Sequence, residues 1–452
     1  MLGRILCGKP VPAFPENALG LVFVALAGSL LVTPAFAQTP APAPAIDAGD
    51  TAWMIAATGL VLMMSIPGLA LFYSGMVRKK NVLATMAQTV AAVGICSLLW
   101  FAIGYSLAFT GEGAVIGSLD RLFLAGLDMG SISPAAKTIP ESVFMMYQMT
   151  FAVITVALVA GSVADRMRFS SFVWFCVLWL LIVYVPIAHW VWGGGWLTPG
   201  TDKPGILDFA GGTVVHLNAG IAGLVACYVL GPRRGYGSEN LAPYDLSMAV
   251  IGTGLLWVGW YGFNGGSALG ANGRAGYAML ATHLAACAGV LTWMLLEWWT
   301  RGKPSVLGMI SGAIAGLGTI TPASGFVLPW HGVVIGLIAG GICFWACTSL
   351  KLRCGYDDSL DVFGVHGVGG LTGTLLAGVF AVAAVGDTAG LLGGNPRQML
   401  YQVYGIVAVL VWAGIGTFVI LKVIDLMVPL RVNDETERTG LDITLHGESI
   451  HS

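Results

Sequence analysis

The sequence predicts an all-α polytopic membrane protein: eleven transmembrane helices, laid out as two inverted five-helix repeats plus a final helix. Three observations carry this. Of 452 residues, 56% are hydrophobic and only 10% charged, whereas a soluble domain carries about 25% charged residues. Mean hydropathy is +0.82, and the apolar residues fall in runs near the length of about 20 that a helix needs to cross a bilayer. Two of those runs carry a histidine opening one pattern, His-x-x-x-Gly-x-x-Gly: His216–Gly220–Gly223 and His366–Gly370–Gly373.

Read in order, Arg4 and Lys9 precede an apolar run over 18–32 that ends at Ala35-Phe36-Ala37. That order is a secretory signal peptide, 1–37. A Pro/Ala-rich periplasmic tail, 38–50, leads into a membrane domain, 51–428, and a polar cytoplasmic tail, 429–452. Eleven spans are expected, at about 51–77, 82–109, 141–164, 169–190, 209–230, 245–265, 276–299, 305–322, 331–350, 359–385 and 399–428. The span at 305–322 is the weakest, being short and rich in glycine. With the mature N-terminus outside, thirteen Lys and Arg fall in cytoplasmic segments and five (Arg121, Lys137, Lys203, Arg274, Arg397) in outer loops, as positive-inside topology requires. The 64 glycines suit closely packed membrane helices.

His216 lies in the fifth span and His366 in the tenth. An odd number of helices per repeat reverses the second half, the plan that places a transport site at the repeat interface near mid-membrane. At the rise of an α-helix, His216 lies roughly 10 Å inward from Asp208 and His366 roughly 12 Å from Asp358. Entering from opposite faces, the two rings meet near the centre. An ionisable ring at that depth is costly and marks a path or a partner. Asp208 is read first as the N-cap of the fifth span, with a second role in shaping the outer vestibule and drawing cations to it.

Other chemistries are disfavoured. Net charge is −2, which leaves no nucleic-acid footprint. The eight cysteines lack zinc or redox spacing, and Cys343 with Cys347 reads as packing. His189, His283 and His331 lack the glycine context and are expected to be satisfied or interfacial. No cofactor or metal is called for, no His-Glu-x-x-His cluster or Walker loop is present, and the chain is not read as an enzyme.

The motifs Ile66-Pro-Gly-Leu-Ala-Leu-Phe-Tyr73-Ser-Gly, Asp208-Phe-Ala-Gly-Gly-Thr-Val-Val-His216, Gly259-Trp-Tyr-Gly-Phe-Asn264-Gly-Gly-Ser267, Asp361-Val-Phe-Gly-Val-His366-Gly and Glu437-Arg-Thr-Gly-Leu-Asp442-Ile-Thr-Leu-His446-Gly-Glu448 stand in this order. Together they resemble bacterial ammonium transporters of the Amt/Rh family, on the Amt side. The resemblance implies a homotrimer in the bacterial inner membrane with one pore per subunit. It implies an outer ammonium site of Phe151, Trp192 and Ser267, with Tyr147 where the family often has phenylalanine. A Phe151/Phe263 gate and the pore histidines His216 and His366 follow below. It also implies a regulatory tail (Gly440, Asp442, His446, Gly447, Glu448) under the trimer and a PII-type signal protein docking on the cytoplasmic face. Asp358 and Asp361 either anchor that region or cap the tenth span.

The implied chemistry is physically coherent. An intact ammonium ion in a low-dielectric pore meets a Born penalty on the order of tens of kcal/mol. Loss of a proton at the threshold leaves ammonia, which two neutral imidazoles can hydrogen-bond. Net proton transfer is expected to accompany ammonia, with methylammonium as an analogue. The runner-up is an ammonium sensor coupled to the PII-type protein; fused output domains would favour it, and the chain is read as carrying none. An Rh-like gas channel is disfavoured by Trp192 and Ser267.

Overall fold

The computed structural model describes residues 45–200 and 205–450. The signal peptide and most of the Pro/Ala-rich stretch lie outside them. Among the described residues the chain is helical, with extended pairing confined to the isolated bridges Ser133–Ala136 and Met167–Arg431. Among the described residues ten helices are long and apolar enough to cross a membrane: α1 Ala48–Met76, α2 Lys79–Phe109, α3 Glu141–Val163, α4 Phe169–Trp192, α5 Gly212–Leu230, α6 Leu246–Gly265, α7 Gly273–Arg301, α9 Pro329–Cys354, α10 Phe363–Phe380 and α11 Arg397–Met427. The expected eleventh, α8 Val306–Ile320, is apolar but has 15 residues. At 1.5 Å per residue it spans about 22 Å of a hydrocarbon core of about 30 Å.

Side-chain caps set several helix starts. Asp47 accepts from the Asp50 N–H at 2.8 Å, which starts α1 at Ala48, three residues before the expected boundary. Asp245, Asn272 and Ser305 cap α6, α7 and α8 in the same way. Pro67, without an N–H to give, interrupts α1, and Ile66 beside it leaves helical geometry (φ −133°, ψ 116°). α10 stops at Phe380, short of the expected 385, because the chain doubles back: Gly390 and Leu391 donate to the Ala381 and Gly378 carbonyls.

α3 forms the centre, with every residue from Tyr147 to Val163 buried. Around it the histidine helices α5 and α10 cross almost in backbone contact. A Cβ added at Gly220 would lie 2.3 Å from the Gly367 Cα, and one at Gly370 would lie 2.5 Å from the Gly212 oxygen and 2.9 Å from the His216 Cβ. Small residues at a membrane crossing permit this approach.

The polar tail is folded against the loops at one end of the bundle. A short helix, α12 Asp434–Thr439, is followed by a turn over Asp442–His446. The Asp442 carboxylate accepts from the Leu83 and Ala84 N–H groups at 3.1 and 2.8 Å, near the start of α2. Lys80 donates to the Glu437 and Arg438 carbonyls. Gly440 lies against Lys80 with φ at +119°, and Gly447 turns the chain at φ +68°. The His446 ring stands edge-on to Phe169 at 4.9 Å, and the Glu448 N–H donates to the Asp442 oxygen. Asp358 caps α10 through the Phe363 N–H at 2.7 Å, while Asp361 pairs with Lys351 at 2.8 Å; burial pushes the Asp358 carboxyl up. Of the two readings of these aspartates, Asp358 takes the capping one.

At the same end Arg233 grips Asp357 through Nε and Nη2 at 2.9 and 2.8 Å. Burial alone would raise the Asp357 carboxyl, but the Arg233 guanidinium outweighs it and holds the group below its usual range. The stability conferred is therefore complete above the ordinary carboxylate value of about 4 and lost as pH falls through the lowered one. Asp357→Asn is expected to cost about 3 kcal/mol and to flatten the acid limb of stability, checked by thermal unfolding of purified protein across pH.

Candidate functional site

Three cavities lie in series through the bundle, and the residues expected at the site line them. The first, about 330 Å³, opens at the end away from the tail and is lined by Phe151, Trp192, Ser267, Tyr147, Asp208 and Arg274, among others. Phe151 and Phe263 stack below it, ring centroids 4.2 Å apart at 26°. Next comes an apolar space of about 10 Å³, lined by Phe263, Trp260, Phe72, His216, His366 and aliphatic side chains. That is room for about one water. His366 also borders the third cavity, about 230 Å³, at the tail end, where Glu297, Arg301 and Asp361 bring charge.

Aromatic geometry builds the mouth. Phe151 stands edge-on to Trp192 at 5.7 Å and 88°, and the Trp192 indole donates to the Asp208 main-chain oxygen at 2.9 Å. A cation over such rings gains about 0.5–2 kcal/mol. The Ser267 hydroxyl donates to the Phe263 carbonyl at 2.8 Å, which leaves its oxygen free to accept. Tyr147 has its ring at the cavity wall, but its hydroxyl turns to α6, within 2.8 Å of the Phe263 oxygen and 3.0 Å of the Gly262 oxygen. It also lies 3.2 Å from Ser267. Its polar atom therefore braces the α6 backbone and supports Ser267.

Asp208 has no free carboxylate edge. It accepts from the N–H groups of Gly211, Gly212, Thr213 and Val214 at 2.6–3.2 Å, and from the Thr213 hydroxyl. It is the cap of α5, and its charge serves the helix that presents His216.

The histidines meet. Their Nδ1 atoms are 3.2 Å apart, with rings near parallel at 15°. Only one proton fits between two Nδ1 atoms. If each ring is neutral, the donor ring has a bare Nε2 and the acceptor ring an Nε2–H, so the pair offers one acceptor and one donor. His216 Nε2 is buried with no protein partner. Trp260 stacks on His216 at 5.4 Å and 20° and is itself held by Thr321 at 2.8 Å.

Three contributors escaped the sequence reading. Trp260 stands three residues before Phe263 and so shares its helix face, a signal available in the spacing. Arg274, counted as a loop charge, enters the first cavity. Gln402 of α11 clasps Leu207, beside Asp208: its Oε1 accepts from the Leu207 N–H at 2.7 Å and its Nε2 donates to the Leu207 oxygen at 2.9 Å. The other histidines have local partners: His189 the Ala108 and Gly113 carbonyls, His283 the Tyr261 hydroxyl, and His331 the Leu328 N–H. No group of metal-ligating side chains converges among the described residues.

These contacts rank two variants. Gln402→Leu leaves both polar groups of Leu207 buried and unpaired and is expected to cost about 3 kcal/mol. Tyr147→Phe removes one hydroxyl from carbonyls that Ser267 still partly serves and is expected to cost about 1 kcal/mol. Thermal unfolding in detergent checks the order; a larger loss for Tyr147→Phe would make the tyrosine, not the glutamine, the main brace of the mouth.

Residues 52–450 match the model of the Ammonium Transporter Family. An ammonium transporter of Bacillus subtilis (strain 168) is 48% identical over 89% of this chain and 98% of its own. The crystal structure of Candida albicans Mep2 superposes with a TM-score of 0.80 at 37% identity, covering 86% of this chain and 87% of that one. A structure titled Sensor Amt Protein reaches the same TM-score at 28% identity, over 88% of this chain and 98% of its own. The chain belongs to the ammonium transporter family.

Proposed function

We propose that this membrane protein recruits ammonium at the aromatic mouth, removes a proton there, and passes ammonia between His216 and His366 to the tail side. The observation that carries the reading is the 3.2 Å contact of the two Nδ1 atoms, set in an apolar space between a phenylalanine stack and a charged exit. At the mouth, ring faces and the Ser267 oxygen replace part of the hydration of NH4+. Below Phe151 and Phe263 there is no room for a hydrated ion, and an unhydrated one would face a Born penalty on the order of tens of kcal/mol. Neutral ammonia, a donor and an acceptor at once, matches the mixed edges of the imidazole pair. Potassium has no proton to give up and meets only the barrier.

The proton follows separately, by a polar path that includes the two rings, so transport carries charge. The mouth faces outward and the tail lies in the cytoplasm, as the distribution of Lys and Arg supports, in a bacterial inner membrane. α8 completes eleven spans as two inverted five-helix repeats plus a last helix. The subunits form a homotrimer, a reading supported by the Tyr261–His283 pair left on an outer helix face, where lipid alone would be a poor neighbour. The folded tail offers a platform for a PII-type protein.

Wild type in proteoliposomes is expected to show saturable methylammonium uptake together with an ammonium-evoked current. Fast uptake without current would reject the charge-transfer step. Binding without uptake would favour a sensor, a reading prompted by the neighbour titled Sensor Amt Protein. His216→Asp keeps a titratable group but loses the paired donor and acceptor edges. It is expected to lower uptake at least about tenfold and to admit potassium current; unchanged selectivity would show that the ring is dispensable.

A further inference from the structure

The mouth that collects a cation has a cation built into its wall. Among the described residues Asp208 and Arg274 are the acid and the base lining that cavity, so the described lining is formally neutral. Arg274 is fixed there by its surroundings. Its guanidinium lies between the rings of Phe209 and Phe326, 5.0 Å from each centroid, and its Nε donates to the Gly325 carbonyl at 2.7 Å. A Cβ at Gly386 would lie 3.2 Å from its Nη2, so the chain closes over it. No carboxylate forms an ion pair with it among the described residues. Asp387, exposed on the loop after α10, acts on it only from farther off.

A residue that only packed the two phenylalanines would not need a charge, and a cavity that only gathered cations would not keep one of like sign. The arrangement makes sense if attraction by charge alone is unwanted. A net negative mouth would concentrate every small cation, with potassium the abundant competitor. With the Asp208 charge cancelled, occupancy depends on what a partly desolvated ion gains from ring faces and the Ser267 oxygen. N–H donors use that oxygen directionally.

We propose that Arg274 sets the selectivity of the mouth, by offsetting the Asp208 field so that ammonium-like donors are admitted in preference to alkali-metal cations. The inference rests on the reading of the mouth as the recruitment site.

The test is labelled methylammonium uptake by proteoliposomes at constant ionic strength, with potassium replacing N-methylglucamine. Wild type is expected to be indifferent to the exchange. Arg274→Gln is expected to lower the half-saturation concentration about fivefold and to become competitively inhibited by potassium, while Arg274→Lys behaves as wild type on both counts. Arg274→Met keeps an apolar stem between the rings and serves as a second neutral variant if the glutamine protein does not fold. Potassium indifference in the neutral variants overturns the proposal, as does a lysine variant that matches glutamine, since shape would then be responsible. A parallel readout separates the two claims: thermal stability of purified protein titrated with ammonium or potassium chloride. Absence of wild-type uptake would defeat the transport reading alone. Arg274 would then be judged by whether potassium stabilises the neutral variants more than wild type, and equal stabilisation overturns it.

Discussion

Two imidazoles held edge to edge where hardly a water fits form the constraint on which the molecule depends. Neither ring can drift, because each hangs from a helix whose spacing is set by main-chain contact at Gly220, Gly367 and Gly370. Trp260 closes one ring face and the phenylalanine stack covers the approach. A polar pair in such a place is worth keeping only if it is complete in itself. The shared Nδ1 contact provides that, leaving the Nε2 edges to a visitor.

The supports lie at the ends of the bundle, where backbone N–H groups solvate charge. Each histidine helix is headed by an aspartate eight residues upstream, Asp208 for His216 and Asp358 for His366. Both carboxylates accept backbone N–H groups at a helix start, where the dipole favours a negative charge. Behind Asp208, Gln402 grips the preceding peptide from a helix 195 residues away in sequence. The centre can thus stay apolar because positional control is exerted from the rims.

Much of this is legible in the residues. Hydropathy locates the long helices, because a membrane demands a continuous apolar run and tolerates few exceptions. The paired His-x-x-x-Gly pattern marks the two rings that meet in the candidate site, because close helix approach and a buried ionisable ring each leave a mark in composition. The misses have other causes. α1 begins early on the Asp47 side chain, and α10 ends early because the chain folds back through Gly390. Hydropathy sees neither. Arg274 reads as a loop charge because nothing local shows that Phe209 and Phe326 await it, and the hydroxyl of Tyr147 is open in direction until α6 supplies its carbonyls.

The seam between Asp442 and the beginning of α2 ties the last stretch of the chain to one of its first. Amide hydrogens of Leu83 and Ala84 that an ordinary helix would cover with a nearby residue are covered by Asp442, some 360 positions later. Whatever lifts that flap also unseals the foot of a long apolar helix, so an event at this end of the bundle has a mechanical route inward.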